Sequence, residues 1–142
     1  MFDLDNYLPY LINRVGVRMS ESFSARLAEF GISLGMWRVL AALNHNSDQR
    51  LSDLARLTSI EVSTLSRLVG TMQRKKLVSR ARSGQDARAI RVELTREGAD
   101  LTRRLVPIAQ AIERTALKAI STKDAALLRR RLKGMYDNFN RP

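Results

Sequence analysis

The spacing of apolar residues changes twice along this chain, and these changes limit the folds available to it. Up to Lys76 the apolar residues recur every three or four positions, which is typical of amphipathic helices. Between Val78 and Leu94 they alternate with polar residues around a central turn, which predicts a β-hairpin. A long helical pattern resumes at Arg96. We therefore expect a mainly α-helical protein with a small β-hairpin, forming one domain over residues 1–142.

Residues that favour helix ends divide the helical part into six segments. Asn6 is placed to cap the first helix and Gly31 to end it, while Ser33 and Thr95 are placed to start later helices. Pro107 lies inside the fifth segment, where proline is expected to kink a helix. The predicted helices cover about 6–30, 34–44, 51–57, 61–76, 96–120 and 121–139.

The third and fourth helices are separated by three residues, Thr58-Ser59-Ile60, which predicts a helix-turn-helix. Turning the fourth helix by about 100° per residue separates two faces. The inner face is apolar and comprises Val62, Leu65, Leu68, Val69 and Met72. The outer face is small, hydroxylated and basic, with Ser63, Arg67, Gly70 and Arg74, flanked by Thr64. Such a face suits the major groove of DNA, although hydroxyl residues at a helix start also serve as local caps.

Positive charge is concentrated in the same part of the chain. The formal net charge is +11, and residues 67–91 hold eight basic side chains against one acid, Asp86. This distribution predicts an anionic partner, with nucleic acid favoured over a membrane surface. A hairpin after a helix-turn-helix is a wing, which commonly lies along the DNA backbone or places a basic tip in the minor groove. An architectural DNA-binding protein with little sequence preference is the alternative.

Several function classes are disfavoured by what the sequence lacks. It has no Cys, so disulfides and thiolate metal sites are excluded, and its one His, His45, lies in a polar turn. There is no Gly-rich phosphate loop, and we expect neither an enzyme, a cofactor nor a metal. No basic and apolar leader is visible at the N-terminus, and no apolar run reaches the roughly 18 residues of a membrane span. We expect a cytoplasmic protein without membrane contact.

Five motifs together resemble the MarR family of winged-helix transcriptional regulators. They are Leu51-Ser52-Asp53-Leu54-Ala55, Ser63-Thr64-Leu65-Ser66-Arg67-Leu68-Val69, Lys75-Lys76-Leu77-Val78-Ser79-Arg80, Asp86-Ala87-Arg88 and Val92-Glu93-Leu94-Thr95-Arg96-Glu97-Gly98. The resemblance implies a homodimeric regulator, most commonly a repressor, on a pseudo-palindromic operator. It also implies that Arg88 is the wing-tip arginine of the minor groove, and that Asp86 orients it.

The helices outside the winged helix-turn-helix, which we place at about 34–95, also predict a dimer. Those at about 1–30 and 96–142 carry more apolar surface than one winged helix can cover, so a two-fold interface is expected to bury the excess. The predicted DNA-binding residues are Ser52, Ser63, Thr64, Arg67, Arg74, Lys75, Arg82, Asp86 and Arg88.

A small-molecule effector, often an aromatic acid or its thioester, is also implied by the resemblance. Arg14 and Arg18 are candidates to bind its anionic group, with Met36 and Trp37 as an apolar wall. The alternative is that Trp37 is a plain core residue and that the two arginines are solvated or brace the dimer.

Overall fold

Six α-helices and three short strands make up the part of the chain that the computed structural model describes, residues 1–82 and 90–140. A 3₁₀ turn, Leu4–Asn6, precedes them. In chain order they are α1 (Leu8–Ala28), α2 (Leu34–His45), β1 (Gln49–Arg50), α3 (Leu51–Thr58), α4 (Val62–Arg74), β2 (Val78–Arg82), β3 (Ile90–Leu94), α5 (Arg96–Ala116) and α6 (Thr122–Asn140). The predicted class, mainly helical with a hairpin wing, is confirmed. Within the described ranges, no helix is long and apolar enough to cross a membrane.

The first helix starts later than predicted, and Asn6 does not cap it. Asn6 belongs to the 3₁₀ turn, where its side-chain amide donates to the carboxylate of Asp3. The residue before α1 is Tyr7, which makes no side-chain capping bond, and Pro9 lies in the first turn. Since first-turn amides have no partner within the helix, Pro9 costs α1 no hydrogen bond there.

Three other predicted helix boundaries are confirmed by their hydrogen bonds. Gly31 adopts φ +70° after α1, and Ile32 N–H donates to the carbonyl oxygen of Leu27 at 3.3 Å, as in a Schellman ending. The hydroxyl of Ser33 accepts from the amide of Met36 at the start of α2. The hydroxyl of Thr95 accepts from the amide of Gly98 at the start of α5.

The predicted hairpin pairs β2 with β3, from Val78 opposite Leu94 to Arg82 opposite Ile90. The sequence prediction missed β1, which adds a third strand and gives the order β1-β3-β2. Gln49 of β1 is only 5% exposed, and its amide donates to carbonyl oxygens at the end of α2. Strand β3 is therefore paired on both edges at Arg91 and Val92. The predicted turn at residues 83–86 lies outside the described residues.

The core forms where the C-terminal part of α1 meets α2, α3, α4, α5 and the sheet, and one predicted core residue is absent from it. Leu65, Val69 and Met72 of α4 are fully buried, but Val62 is 49% exposed, so its placement in the core was wrong. Val62 is the first residue of α4, and the buried stripe begins one turn later, at Leu65.

Helices α1 and α6 leave much of their apolar surface open. Over Thr122–Asn140, all of which the structure describes, Ala125 is the only buried residue. Arg129 of α6 donates to the carboxylate of Glu113 on α5. The exposed apolar side chains of the two helices are Leu8, Leu11, Ile12, Val15, Val17, Leu127, Leu128, Leu132, Tyr136 and Phe139. Helix α5 ends at Ala116, four residues before its predicted end, and contains Pro107 as predicted.

Candidate nucleic-acid interface

The outward face of α4 carries most of the residues that the sequence singled out. Ser63, Thr64, Arg67 and Arg74 are exposed there, and exposed Lys75 caps the C-terminal end of the helix. Ser52 is exposed in the first turn of α3. Between the two helices, Ser59 adopts the left-handed conformation at φ 56°, which redirects the chain into α4.

The N-terminal end of α4 is capped by Glu61, whose role the sequence prediction missed. Its carboxylate accepts from the amides of Ser63 at 3.0 Å and Thr64 at 3.1 Å. It also accepts from both hydroxyls, Ser63 Oγ at 2.5 Å and Thr64 Oγ1 at 3.2 Å. These bonds favour the charged carboxylate, and they lower the pKa of Glu61 to about 2, with the Ser63 hydroxyl the largest cause.

The environment of Ser63 and Thr64 is compatible with both interpretations, contact with DNA and local bonding at the helix start. Their side chains are exposed on the outward face, as a DNA-contacting role requires, and their hydroxyls also take part in helix-start bonding. Glu61 is an unusual capping residue, because Ser, Thr, Asp and Asn are the residues that most often cap helices. The sequence signal was an acid two residues before Ser63 and three before Thr64.

A second residue that the predicted site omitted is Arg80 on β2. Its guanidinium is half-buried and donates to Ser66 Oγ of α4 at 3.1 Å. A Cβ added to Gly70 would lie 3.7 Å from Arg74 Nη1 and 4.0 Å from Arg80 Nη1, so two guanidinium groups flank this glycine. Alternation along β2 was the available signal, because it puts Arg80 on the same side of the strand as buried Val78.

Arg91, part of the charge concentration in the sequence, is held within the protein. Its guanidinium donates to the carboxylate of Asp48 at 2.9 Å and to the Asp48 carbonyl oxygen at 3.2 Å. The carboxylate of Asp48 raises the pKa of Arg91. The pair joins β3 to the loop before β1, so Arg91 contributes to the attachment of the hairpin.

The remaining predicted DNA contacts belong to the outer part of the wing. Arg82 is the last residue of β2. Its side chain, like Asp86 and Arg88, lies outside the described residues, and the roles of all three stay predictions.

The predicted effector residues do not share one site. Arg14 and Arg18 line a groove of about 530 Å³ between α1 and α5, formed with Leu11, Val15, Met19, Ser22, Ile112, Thr115 and Ala116. Arg14 lies 5.3 Å from the ring centre of Tyr10, and Arg18 is 4.0 Å from the carboxylate of Glu21.

Met36 and Trp37 lie elsewhere. Met36 is buried in the core, and Trp37 packs edge-on against Phe23 with 5.1 Å between ring centres. The structure does not bring either residue to the groove of Arg14 and Arg18, whose lining comes from α1 and α5 alone.

The helix-turn-helix, the three-stranded sheet and the exposed basic face of α4 define a winged helix-turn-helix protein. The MarR family profile matches residues 30–89. The chain is 33% identical to a MarR family transcriptional regulator from Silicibacter pomeroyi DSS-3, whose crystal structure superimposes with a TM-score of 0.82 over 98% of this chain and 99% of that one. This chain belongs to the MarR family of transcriptional regulators.

More distant relatives extend the comparison. The HTH-type transcriptional repressor IacR of Pseudomonas putida is 24% identical over 97% of this chain and 83% of its own length. A mutant MarR from E. coli complexed with operator DNA shares the fold at 22% identity, with a TM-score of 0.80, over 90% of this chain and 92% of that one. Bordetella bronchiseptica BpsR, whose DNA binding is regulated by 6-hydroxynicotinic acid, shares it at 22% identity and a TM-score of 0.82, over 91% of this chain and 98% of that one.

Proposed function

We propose that this protein is a homodimeric repressor that binds a pseudo-palindromic operator in duplex DNA with sequence specificity. The observation that carries the proposal is the exposed face of α4, where hydroxyl and basic side chains surround a glycine and the first residues are held by a defined cap. Repression is supported by the similarity to the repressor IacR.

In the proposed complex, α4 lies in the major groove and the wing follows the adjacent backbone. Arg67, at the centre of the exposed face, is suited to pair with a guanine edge, which offers two acceptors to a guanidinium. Ser52, Arg74 and Lys75, at the margins of the two helices, are suited to phosphate contacts, which position the protein without reading sequence. Arg82 and Arg88 serve the wing, with Asp86 directing Arg88 into the minor groove.

Dimerisation is supported by the apolar surface that a single chain leaves open. Leu8, Leu11 and Val15 of α1 and Leu128 and Leu132 of α6 are all 39% or more exposed. An isologous interface between two copies would remove these side chains from water and set the two α4 helices about 34 Å apart, one turn of DNA. Inverted half-sites at that spacing are the expected operator.

We propose the groove between α1 and α5 as the effector site. It combines two cationic side chains, Arg14 and Arg18, with apolar residues from both helices, which suits a small aromatic carboxylate. The precedent of BpsR, which responds to 6-hydroxynicotinic acid, supports a ligand of this chemistry. Met36 and Trp37 are not included in this site.

The proposed function is tested by selecting DNA from a random duplex library and measuring the affinity for the selected sequence. We expect a consensus of two inverted half-sites and much weaker binding to scrambled DNA. Affinity that is nearly equal on every sequence, with the same steep salt dependence, would identify an architectural DNA-binding protein instead.

Arg67→Ala examines the role of α4, and Arg130→Ala, on the exposed surface of α6, is the matched loss of one charge. We expect Arg67→Ala to relax the base preference at one position of each half-site, whereas Arg130→Ala leaves the consensus unchanged. A uniform loss across all sequences would make Arg67 a phosphate contact.

A further inference from the structure

The first turn of α4 presents hydrogen-bond acceptors to its surroundings. Ser63 and Thr64 each have one hydroxyl hydrogen, and both hydrogens are directed to the carboxylate of Glu61. A carboxylate has about four lone-pair sites and, when ionised, no hydrogen to donate. Three of the four bonds to Glu61 fall on Oε2, and Oε1 accepts from the Ser63 amide alone. Oε1 and the oxygen atoms of the two hydroxyl groups therefore remain as exposed acceptors at the start of the helix that is proposed to enter the DNA.

An acceptor group of this kind is selective among the partners that DNA offers. Phosphate oxygens are themselves acceptors and carry negative charge, so they are unfavourable neighbours for Glu61. Guanine presents two acceptors in the major groove, and thymine presents one. Adenine offers its N6 amine beside the N7 acceptor, which repels a carboxylate, whereas cytosine offers its N4 amine with no acceptor on the same base in the major groove.

We propose that Glu61 is a specificity-determining residue that accepts a hydrogen bond from the N4 amine of a cytosine in each half-site. Ser63 and Thr64 hold its carboxylate in place and contribute to recognition through Glu61. This inference rests on the proposed function, because it assigns one base of the operator that the dimer reads.

The positive charge around Glu61 strengthens its effect on base specificity. Glu61 is the last acid before Asp86, so the segment between them contains basic and neutral side chains alone. These cations attract the DNA regardless of its sequence. The Glu61 carboxylate is repelled by DNA wherever it faces no hydrogen-bond donor. At a cytosine, the hydrogen bond from the N4 amine offsets this repulsion. Discrimination against the wrong base therefore comes from repulsion as well as attraction.

The test compares the consensus selected by the wild-type protein with those selected by Glu61→Gln and Glu61→Ala. Gln pairs with adenine by accepting from N6 and donating to N7. We therefore expect Glu61→Gln to change one cytosine of each half-site to adenine, and Glu61→Ala to lose the preference there. Replacing that cytosine by thymine should weaken wild-type binding about tenfold and change the affinity of Glu61→Ala by less than about twofold.

Glu93→Gln is the control for charge, since Glu93 is exposed and belongs to β3, not to α4. Glu93→Gln should leave the consensus unchanged. Any gain in DNA affinity that comes only from losing a negative charge should appear in both Glu93→Gln and Glu61→Gln. Thermal unfolding establishes that each variant is folded, and Glu61→Gln, which preserves the size of the side chain, decides the question if Glu61→Ala unfolds.

Two unfavourable results are distinguishable. A wild-type protein that selects no consensus would overturn both the proposed function and this inference. A wild-type consensus that Glu61→Gln reproduces at every position would overturn the role of Glu61 and leave the proposed function intact.

Discussion

Gly98 packs directly against the backbone of Leu77, so closely that a Cβ atom on Gly98 would stand 2.0 Å from the Leu77 carbonyl oxygen. That oxygen accepts from the amide of Thr95 at 3.1 Å, and the Thr95 hydroxyl donates to the carbonyl oxygen of Lys76 at 2.6 Å. The start of α5 is thereby attached to the chain segment between α4 and β2. Only a residue without a side chain fits at this junction.

Gly98→Ala is therefore expected to destabilise the protein by more than about 2 kcal/mol, as overpacking against backbone atoms does. The measurement is the free energy of unfolding in denaturant at a fixed protein concentration. Gly70→Ala is the control, because its Cβ would meet only guanidinium ends at 3.7 Å or more. Equal stability of Gly98→Ala and wild type would contradict the close packing.

Val62 and Val69 lie on the same helix with very different exposure, 49% and 0%. Val69→Ala should lower the free energy of unfolding by about 2 kcal/mol, since it removes buried methyl groups and leaves a cavity. Val62→Ala should change it by less than about 0.5 kcal/mol, as is usual at exposed positions. Denaturant unfolding of both variants provides the comparison, and similar losses would place Val62 in the core after all.

The cap at Glu61 predicts a pH-dependent contribution to stability. Folding lowers the pKa of Glu61 from its ordinary value of 4.5 to about 2, so the folded state favours the ionised carboxylate. The stabilisation is fully present above pH about 4.5 and is lost as the pH falls towards about 2. Glu61→Gln should therefore be less stable than wild type at pH 7, with the difference disappearing across that acid window.

The measurement for this prediction is the free energy of unfolding of both proteins between pH 2 and 7. Taking the difference between them removes the contribution of the other titrating groups. A difference that stays constant over the whole range would mean that the carboxylate charge does not stabilise the helix start.

Gly70→Ala is expected to move stability and DNA affinity in opposite directions. Alanine stabilises a helix interior by about 0.5–1 kcal/mol relative to glycine, and the added Cβ finds only ordinary contacts in the free protein. In the proposed complex this surface lies against DNA, so the methyl group should weaken operator binding. Unfolding and operator affinity are measured on the same preparation, and unchanged affinity would show that the DNA does not approach Gly70 closely.

Leu132→Asp is expected to dissociate the proposed dimer. Leu132 is 41% exposed in a single chain, and a carboxylate in its place would have to enter an apolar interface without a partner. Sedimentation at micromolar concentration should show twice the chain mass of 16.1 kDa for wild type and a mass near the single chain for the variant. Lys133→Asp, an exposed neighbour on α6, should remain dimeric.

Local signals in the sequence predicted much of this fold, and interactions between distant segments account for what they missed. Gly31, Ser33 and Thr95 act within a few residues of their own position, so their roles were accessible. The pairing of Arg91 with Asp48 joins residues 43 positions apart. The two-residue strand β1 is defined by its pairing with β3, which is distant in sequence, so no local periodicity predicts it.

In the candidate site, too, the sequence predicted the features that depend on local position and missed those that depend on side-chain contacts. A helical projection placed Ser63, Arg67 and Arg74 on the exposed face, because angular position follows from residue number alone. The same projection put Val62 in the core, since it treats the first turn like any other. Arg80 and Glu61 each had a signal in the sequence, but their partners, Ser66 and the two hydroxyls, are identified only when side-chain directions are known.

The two neighbours of β3 link the sheet to two helices. On one edge β3 pairs with β1, which Gln49 fastens to α2, and on the other with β2, which Arg80 fastens to α4. The three strands and α4 are therefore linked to one another by hydrogen bonds. If an effector binds in the proposed groove between α1 and α5, we expect it to change the distance between the two α4 helices of the proposed dimer.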